Sequence, residues 1–251
     1  MTKDAIIMFD HKKFMSKCRY SVLENKKLFI LIFFILFIRT FLVSYYHIPT
    51  GSMNPNLMEA DIVLVDRTAY NIKIPFTDIY FKLGSPKRGD IINFDHKGIT
   101  MCKRVVAVSG DNIQFIKNKL YVNDEVVTLK KSSNEFVDAK RFLRQQDYPY
   151  SVFNETNGDN ISYNIVFASG FTEEYLNILV TNSKVFTVPD KRYFVLGDNR
   201  NLSRDSRYIG TIHEKHITSK VRYIAFNYQE IWDYLFGDLE ELRFLIDINK
   251  A

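Results

Sequence analysis

The apolar positions of this chain fall into one continuous block near the N-terminus and a series of short runs after it. Leu28 to Ile38 is an unbroken apolar run of eleven residues; Arg39 and Thr40 interrupt it, and Phe41 to Val43 resume it. Leu28 to Tyr46 counts 19 residues. As a helix at ~1.5 Å per residue that is about 28 Å, close to the ~30 Å hydrocarbon core of a bilayer. No small-x-small sequence follows, so the block reads as a retained span and not a removable leader; a buried or interfacial helix is the alternative for so short a run. Arg39 is placed to snorkel to the far interface, and Tyr45 and Tyr46 to sit in it. Lys3, Lys12, Lys13, Lys17, Arg19, Lys26 and Lys27 precede the block. The positive-inside rule therefore puts residues 1–27 in the cytoplasm, a transmembrane helix at 28–46, and residues 47–251 across the membrane.

Beyond residue 47 the pattern is strand-like. DIVLVDRTAY (61–70), GDIINFD (89–95), MCKRVVAVSGD (101–111), KLYVNDEVV (119–127), YFVLGDN (193–199) and KVRYIAF (220–226) are short runs rich in Ile, Val, Phe and Tyr. Gly, Pro, Asn or Asp separate several of them, and NKLYVNDEVVTL reads as a hairpin turning at Asn123-Asp124. Only QEIWDYLFGDLEELRFLID (229–247) repeats its apolar residues at helical spacing, with Gly237 interrupting it. Residues 130–186 mix charges, Asn and Ser with short apolar pieces and read as an inserted sub-region. The expected fold is mostly β, a coiled or barrel-like set of sheets behind one N-terminal membrane helix.

Composition narrows the class. The chain has 251 residues, 46% apolar and 25% charged, enough for a real core and unlike a disordered chain. The net charge of +5 suits an anionic lipid surface and is too dispersed for nucleic acid. Cys18 and Cys102 form no CxxC and read as packed free thiols. His213 and His216 are three apart with nothing to mark a third ligand, so they read as a solvated pair and not a zinc site. No Gly-rich phosphate loop is present, which removes support for a nucleotide.

Two stretches carry candidate chemistry. In IPTGSMNPNL, Pro49 and Pro55 fix φ on either side of Ser52, and Gly51 permits a conformation other residues resist. Taken alone this is a tight turn after an apolar helix; it is also a way to hold one hydroxyl and the adjacent N–H groups rigidly. A serine nucleophile needs a base, and a neutral lysine serves when histidine does not. Neutrality near pH 7 to 8 requires a fall of two or three pKa units, roughly 3 to 4 kcal/mol, and hence apolar burial. Lys103 sits in an apolar strand-like run, where alternation puts it on one face with Val105 and Ala107. A snorkelling edge lysine is the other reading. A third stretch, LGDNRNLSRDSRYIG (196–210), packs Asp198, Arg200, Arg204, Asp205, Ser206 and Arg207 into one loop, enough Asp and Arg to order it and position something.

These stretches, together with IRTF and RGDIINF, resemble type I signal peptidase, the bacterial membrane-anchored serine–lysine endopeptidase, in order and spacing over most of residues 30–112 and 188–225. The resemblance implies an antiparallel β catalytic domain, no cofactor, and secretory precursors with signal peptides as partners at the inner membrane. It makes Ser52 the nucleophile and Lys103 the general base. The Ser52 N–H and the Thr50 hydroxyl would form the oxyanion hole, and Ser203 would hydrogen-bond the base. Asp205 and Arg207 would be a supporting ion pair. Ile48, Met53, Leu57, Met101 and Cys102 fall where the family lines its small-residue pockets. Asn201 and Leu202 replace the usual Asp-Asn, and Ala60 stands where Gly is usual. A processing enzyme dedicated to one secretion system, a silent membrane-anchored binding protein and a soluble self-cleaving regulator are the competing readings.

Overall fold

The computed structural model describes residues 25–41, 43–73, 77, 79–116, 119–132, 150–168, 184–237, 239 and 242–248. The chain divides into two compact units, residues 1–42 and 43–251. In the first, a helix runs over Lys26–Phe41, opened by the Phe29 N–H donating to the Asn25 carbonyl. Leu28 to Ile35 expose between 42% and 63% of their surface. No described helix is long and apolar enough to cross a membrane. The helix expected over 28–46 does not extend to its end, because Val43–His47 is a strand paired with Asp61–Asp66. The β-branched and aromatic residues of VSYYH favour that pairing. Of the expected basic arm, residues 1–24 lie outside the described residues.

The second unit is mostly β. Its strands are β1 Val43–His47, β2 Asp61–Asp66, β3 Asn71–Lys73, β4 Tyr80–Lys82, β5 Ile91–His96, β6 Ile99–Ala107, β7 Asn112–Ile116, β8 Lys119–Val122 and β9 Glu125–Val126. After these come β10 Thr128–Lys131, β11 Tyr150–Thr156, β12 Ser162–Ala168, β13 Phe186–Thr187, β14 Arg192–Leu196, β15 Ile212–His213, β16 Ile217–Asn227 and β17 Phe244–Asp247. The main sheet runs β1-β2-β16-β5-β6-β14-β15, with β17 added to β16. Its strand pairs are antiparallel. The long β16 breaks register against β2 and β5, the kind of irregularity that bends a sheet. The expected hairpin at Asn123-Asp124 is present, both residues taking positive φ (52° and 66°) as a two-residue turn requires.

The C-terminal stretch departs from its helical reading. The helix covers only Tyr228–Leu235, capped by the Asn227 side chain. Gly237 takes φ 83° just beyond it, the left-handed geometry that ends helices, and Phe244–Asp247 pairs with β16. In the region read as an insertion, β10, β11 and β12 form a three-stranded antiparallel sheet. One apolar cluster, with Ile48, Met53, Leu57, Val63, Ile91 and Val221 buried together, underlies the turn that carries Ser52. A second, with Ile92, Phe94, Val105 and Val195, packs along β5, β6 and β14.

Candidate active site

Ser52 sits in a single 3-10 turn, Gly51–Met53, that follows β1 and is anchored by the fully buried Met53 side chain. A turn of this kind leaves its first N–H groups without intrahelical acceptors, the Ser52 N–H among them. Thr50 precedes the turn with an exposed side chain that makes no capping bond. Gly51 serves a different purpose from the one its sequence context predicts. It is not a positive-φ residue; a Cβ there would instead meet the Asn54 side-chain amide at 2.6 Å.

Lys103 comes from β6, where it pairs in register with Ile92 of β5. It is 3% exposed, and its Nζ stands 2.7 Å from Ser52 Oγ and donates to the Cys102 carbonyl at 2.8 Å. Burial pushes its pKa below the ordinary lysine value, against the pull of Asp205 and Asp198. Among the described residues it has no ion-pair partner. A buried lysine without a counter-ion favours its neutral form, which is the form that accepts a proton.

The turn and the strand line a cleft of about 750 Å³ that includes Thr50, Ser52, Lys103, Asn199 and Arg204. Ile48, Met53, Met101 and Cys102 line it as the resemblance implies. Leu57 does not; it is fully buried in the cluster beneath the turn, so it supports the wall from behind. The Cys102 thiol is pushed up to about 12 by burial, which keeps it protonated and a poor competitor for the nucleophile's role.

The 197–207 loop backs the dyad. Asp205 is fully buried, pairs with Arg207 at 2.8 Å and accepts the Gly197 N–H at 2.9 Å. Burial alone would raise its carboxyl, but the Arg207 hydrogen bond and charge hold it below the usual range. Ser203 makes no bond to Lys103, whose Nζ is engaged by Ser52 and Cys102; its buried Oγ lies instead on the Asp205 side, where it helps hold that carboxyl down. The hydroxyl fills the space above Gly197. A Cβ on Gly197 would lie 2.1 Å from Ser203 Oγ and 2.5 Å from the Ser52 carbonyl oxygen. Rotating the hydroxyl would leave the Ser203 Cβ at 2.4 Å, and the carbonyl retreats only with the turn that carries Ser52. Gly197→Ala is therefore expected to lower kcat/KM by about 100-fold, since an ångström of misplacement at a reacting group has that effect. Steady-state cleavage kinetics on folded variant measure it.

Two further buried carboxylates, Asp198 and Glu155, support the site. Arg104, next to the base, makes a bidentate pair with Asp198 at 2.8 and 2.6 Å and donates to the Gly89 carbonyl at 2.9 Å. Glu155, from the motif-free region, pairs with Arg200 at 2.6 Å. An Arg beside a Lys inside an apolar run was a readable sign that a carboxylate waits nearby; Glu155 gave no sign.

A family model described as "Signal peptidase, peptidase S26" matches residues 23–226. A signal peptidase I of Buchnera aphidicola (Schizaphis graminum) is 30% identical over 83% of this chain and 78% of its own length. That of Pseudomonas aeruginosa is 31% identical over 78% of this chain and 69% of its own. A solved signal peptidase I from Enterococcus faecalis is 26% identical, covering 55% of this chain and 98% of that one, with a TM-score of 0.32. With the family match spanning most of its length, this chain belongs to the signal peptidase family, peptidase S26.

Proposed function

We propose that this chain removes N-terminal signal peptides from exported precursors by a Ser52–Lys103 acyl-enzyme mechanism. The observation that carries the reading is the 2.7 Å contact between Ser52 Oγ and a buried lysine nitrogen without a counter-ion. Neutral Lys103 takes the hydroxyl proton as Ser52 Oγ bonds to the scissile carbonyl carbon. The carbonyl oxygen gains the negative charge, and the Ser52 N–H and Thr50 hydroxyl receive it. The tetrahedral species collapses with transfer of the lysine's proton to the departing amine, leaving an ester on Ser52. Lys103 then draws a proton from water, which attacks the ester carbonyl; as the bond to Ser52 Oγ breaks, Lys103 returns that proton to Oγ, the signal peptide leaves as a carboxylic acid that ionises in water, and the neutral lysine is restored. Ser203 is buried and makes no bond to Nζ while Ser52 Oγ occupies it, and we assign it the role of steadying Nζ once Ser52 Oγ has left for the carbonyl.

The cleft also supports a substrate class. Residues 99–103 of β6 pair with β5, whereas β14 reaches only residues 104–107. Among the described residues that leaves one backbone edge of 99–103 open along the cleft, the arrangement that takes an extended peptide as an added strand. Apolar walls from Ile48, Met53 and Met101 favour small residues such as Ala-x-Ala before the cut. The helix over Lys26–Phe41 exposes apolar side chains from Leu28 to Ile35 without a polar face. That pattern belongs in lipid, and we take the helix with its basic flank as part of a membrane attachment holding the cleft on the outer side. The test is cleavage of a panel of secretory precursors by detergent-solubilised protein: cutting after Ala-x-Ala supports the reading, and no cutting of any precursor refutes it.

The pH dependence follows in sign. Protonated Lys103 has no lone pair, so kcat/KM rises with pH through the lysine's pKa and then levels. Because burial lowers that pKa, the rising limb lies below the ~10.4 of a free lysine. A limb at the free-lysine position, measured between pH 5 and 11, would contradict a buried neutral base.

A further inference from the structure

The β11–β12 hairpin carries no motif, yet its buried face reaches the catalytic loop. Glu155 of β11 is 1% exposed, and its carboxylate takes both Arg200 Nη atoms at 2.6 Å and the Tyr163 hydroxyl at 2.7 Å. The loop is stitched to β12 as well: the Val166 N–H donates to the Asp198 carbonyl and the Arg200 N–H to the Val166 carbonyl, both at 3.0 Å. Between these two anchored residues stands Asn199. Its backbone N–H donates to the Ser52 carbonyl and its Nδ2 to the Gly51 carbonyl, each at 3.1 Å.

The second of those bonds bears on the chemistry. The Gly51 carbonyl and the Ser52 N–H belong to one peptide unit, which is planar and trans. The carbonyl accepts from Asn199 Nδ2 and from the Asn54 N–H of its own turn, both at 3.1 Å; the direction these bonds give it fixes the N–H on its opposite side, the backbone donor proposed for the oxyanion. We infer that Glu155, through Arg200 and Asn199, is a positioning residue that aims the Ser52 N–H. The inference rests on the Ser52–Lys103 reading. It gives the motif-free hairpin a part in catalysis without contact with substrate. A donor preset in direction acts on the charge that develops in the tetrahedral state and leaves ground-state peptide binding almost untouched.

The test uses the full-length detergent-solubilised protein and two ligands: a peptide aldehyde ending in Ala-x-Ala, and the same peptide as its carboxamide. In the aldehyde adduct Ser52 Oγ bonds to the carbonyl carbon, the C=O electron pair becomes an oxyanion, and Lys103 takes the hydroxyl proton. The carboxamide only occupies the cleft. For Glu155→Gln, the aldehyde Ki is expected to rise at least ten-fold and kcat to fall by a similar factor. KM and the carboxamide Kd should stay within about two-fold, and the rising limb of the pH profile should not move. Glu155→Gln combined with Arg200→Gln is expected to do the same and removes both charges of the buried pair, so it decides the matter if Glu155→Gln alone does not fold. Equal weakening of both ligands, unchanged aldehyde affinity, or a shifted pH limb would overturn the inference. If the wild type neither cleaves precursors nor binds the aldehyde, the Ser52–Lys103 reading itself fails; if the wild type does both and the variants match it, only this inference fails.

Discussion

Replacing Ser52 with Ala, or Lys103 with Ala, is expected to abolish precursor cleavage, each alone lowering kcat by at least about 10⁴-fold. The reason is that the two side chains form one unit. Without Oγ there is no atom to attack; without Nζ the hydroxyl keeps its proton and attacks poorly. The double variant should therefore be no slower than either single one, because effects within such a unit do not add. Neither change should unfold the protein. Ser52→Ala removes one hydroxyl at the edge of the cleft, and Lys103→Ala removes a buried amine with no ion pair. Cleavage rates for the three variants, with near-ultraviolet circular dichroism as a control on folding, check both statements.

Asp198→Ala is expected to act on stability first. Asp198 is 1% exposed and neutralises Arg104, which is 5% exposed and, among the described residues, has no other carboxylate bonded to it. It also accepts Asn56 Nδ2 at 2.7 Å, and Asn56 in turn donates to the Asn164 carbonyl of β12 at 2.6 Å. Truncation leaves a buried guanidinium uncompensated, which destabilises by about 3–5 kcal/mol. For a domain of this size the thermal midpoint should fall by roughly 6–20 °C. The Arg104 stack over Tyr163, 4.1 Å from the ring centroid, does not replace the lost charge. Pairing Asp198→Leu with Arg104→Met should recover much of the loss, since removing both charges is far less harmful than removing one. Thermal melts of the single and double variants measure this; a double variant as unstable as the single would show that the pair's charge is not what matters.

How much of this was legible in the sequence depended on how local the cause was. The strands were readable where β-branched and aromatic runs end at turn residues, and Asn123-Asp124 announced its hairpin because two adjacent positive-φ positions favour those residue types. The expected 28–46 helix was misjudged because hydropathy does not distinguish a span from an apolar strand following it; Val43–His47 goes to β2 on the strength of partners 15 to 23 residues on. The C-terminal stretch was misjudged because Gly237 ends the helix where its periodicity still appeared to continue. Ala60, marked by the resemblance as a place for Gly, takes φ 69°, so the backbone there keeps the conformation that favours Gly even without one.

The site divides the same way. Ser52, Lys103, Asp205 and Arg207 lie within motifs whose spacing carries their chemistry, and the structure brings Ser52 to Lys103 and Asp205 to Arg207. Leu57 lies behind the cleft wall and Ser203 makes no bond to Lys103 while Ser52 holds it, because pocket lining and hydroxyl direction depend on packing that no motif records. Glu155 was invisible: a single acidic residue in a polar stretch becomes meaningful only when the fold buries it against Arg200, 45 positions away.

The most direct test of the central claim is to trap the acyl-enzyme. Precursor peptide mixed with wild-type protein and quenched in acid within milliseconds should show the mass of the protein plus the signal-peptide acyl group. Fragment mapping should place that group on Ser52, and Ser52→Ala should show none. An adduct on another residue, or turnover by Ser52→Ala at the wild-type rate, would contradict the Ser52–Lys103 mechanism.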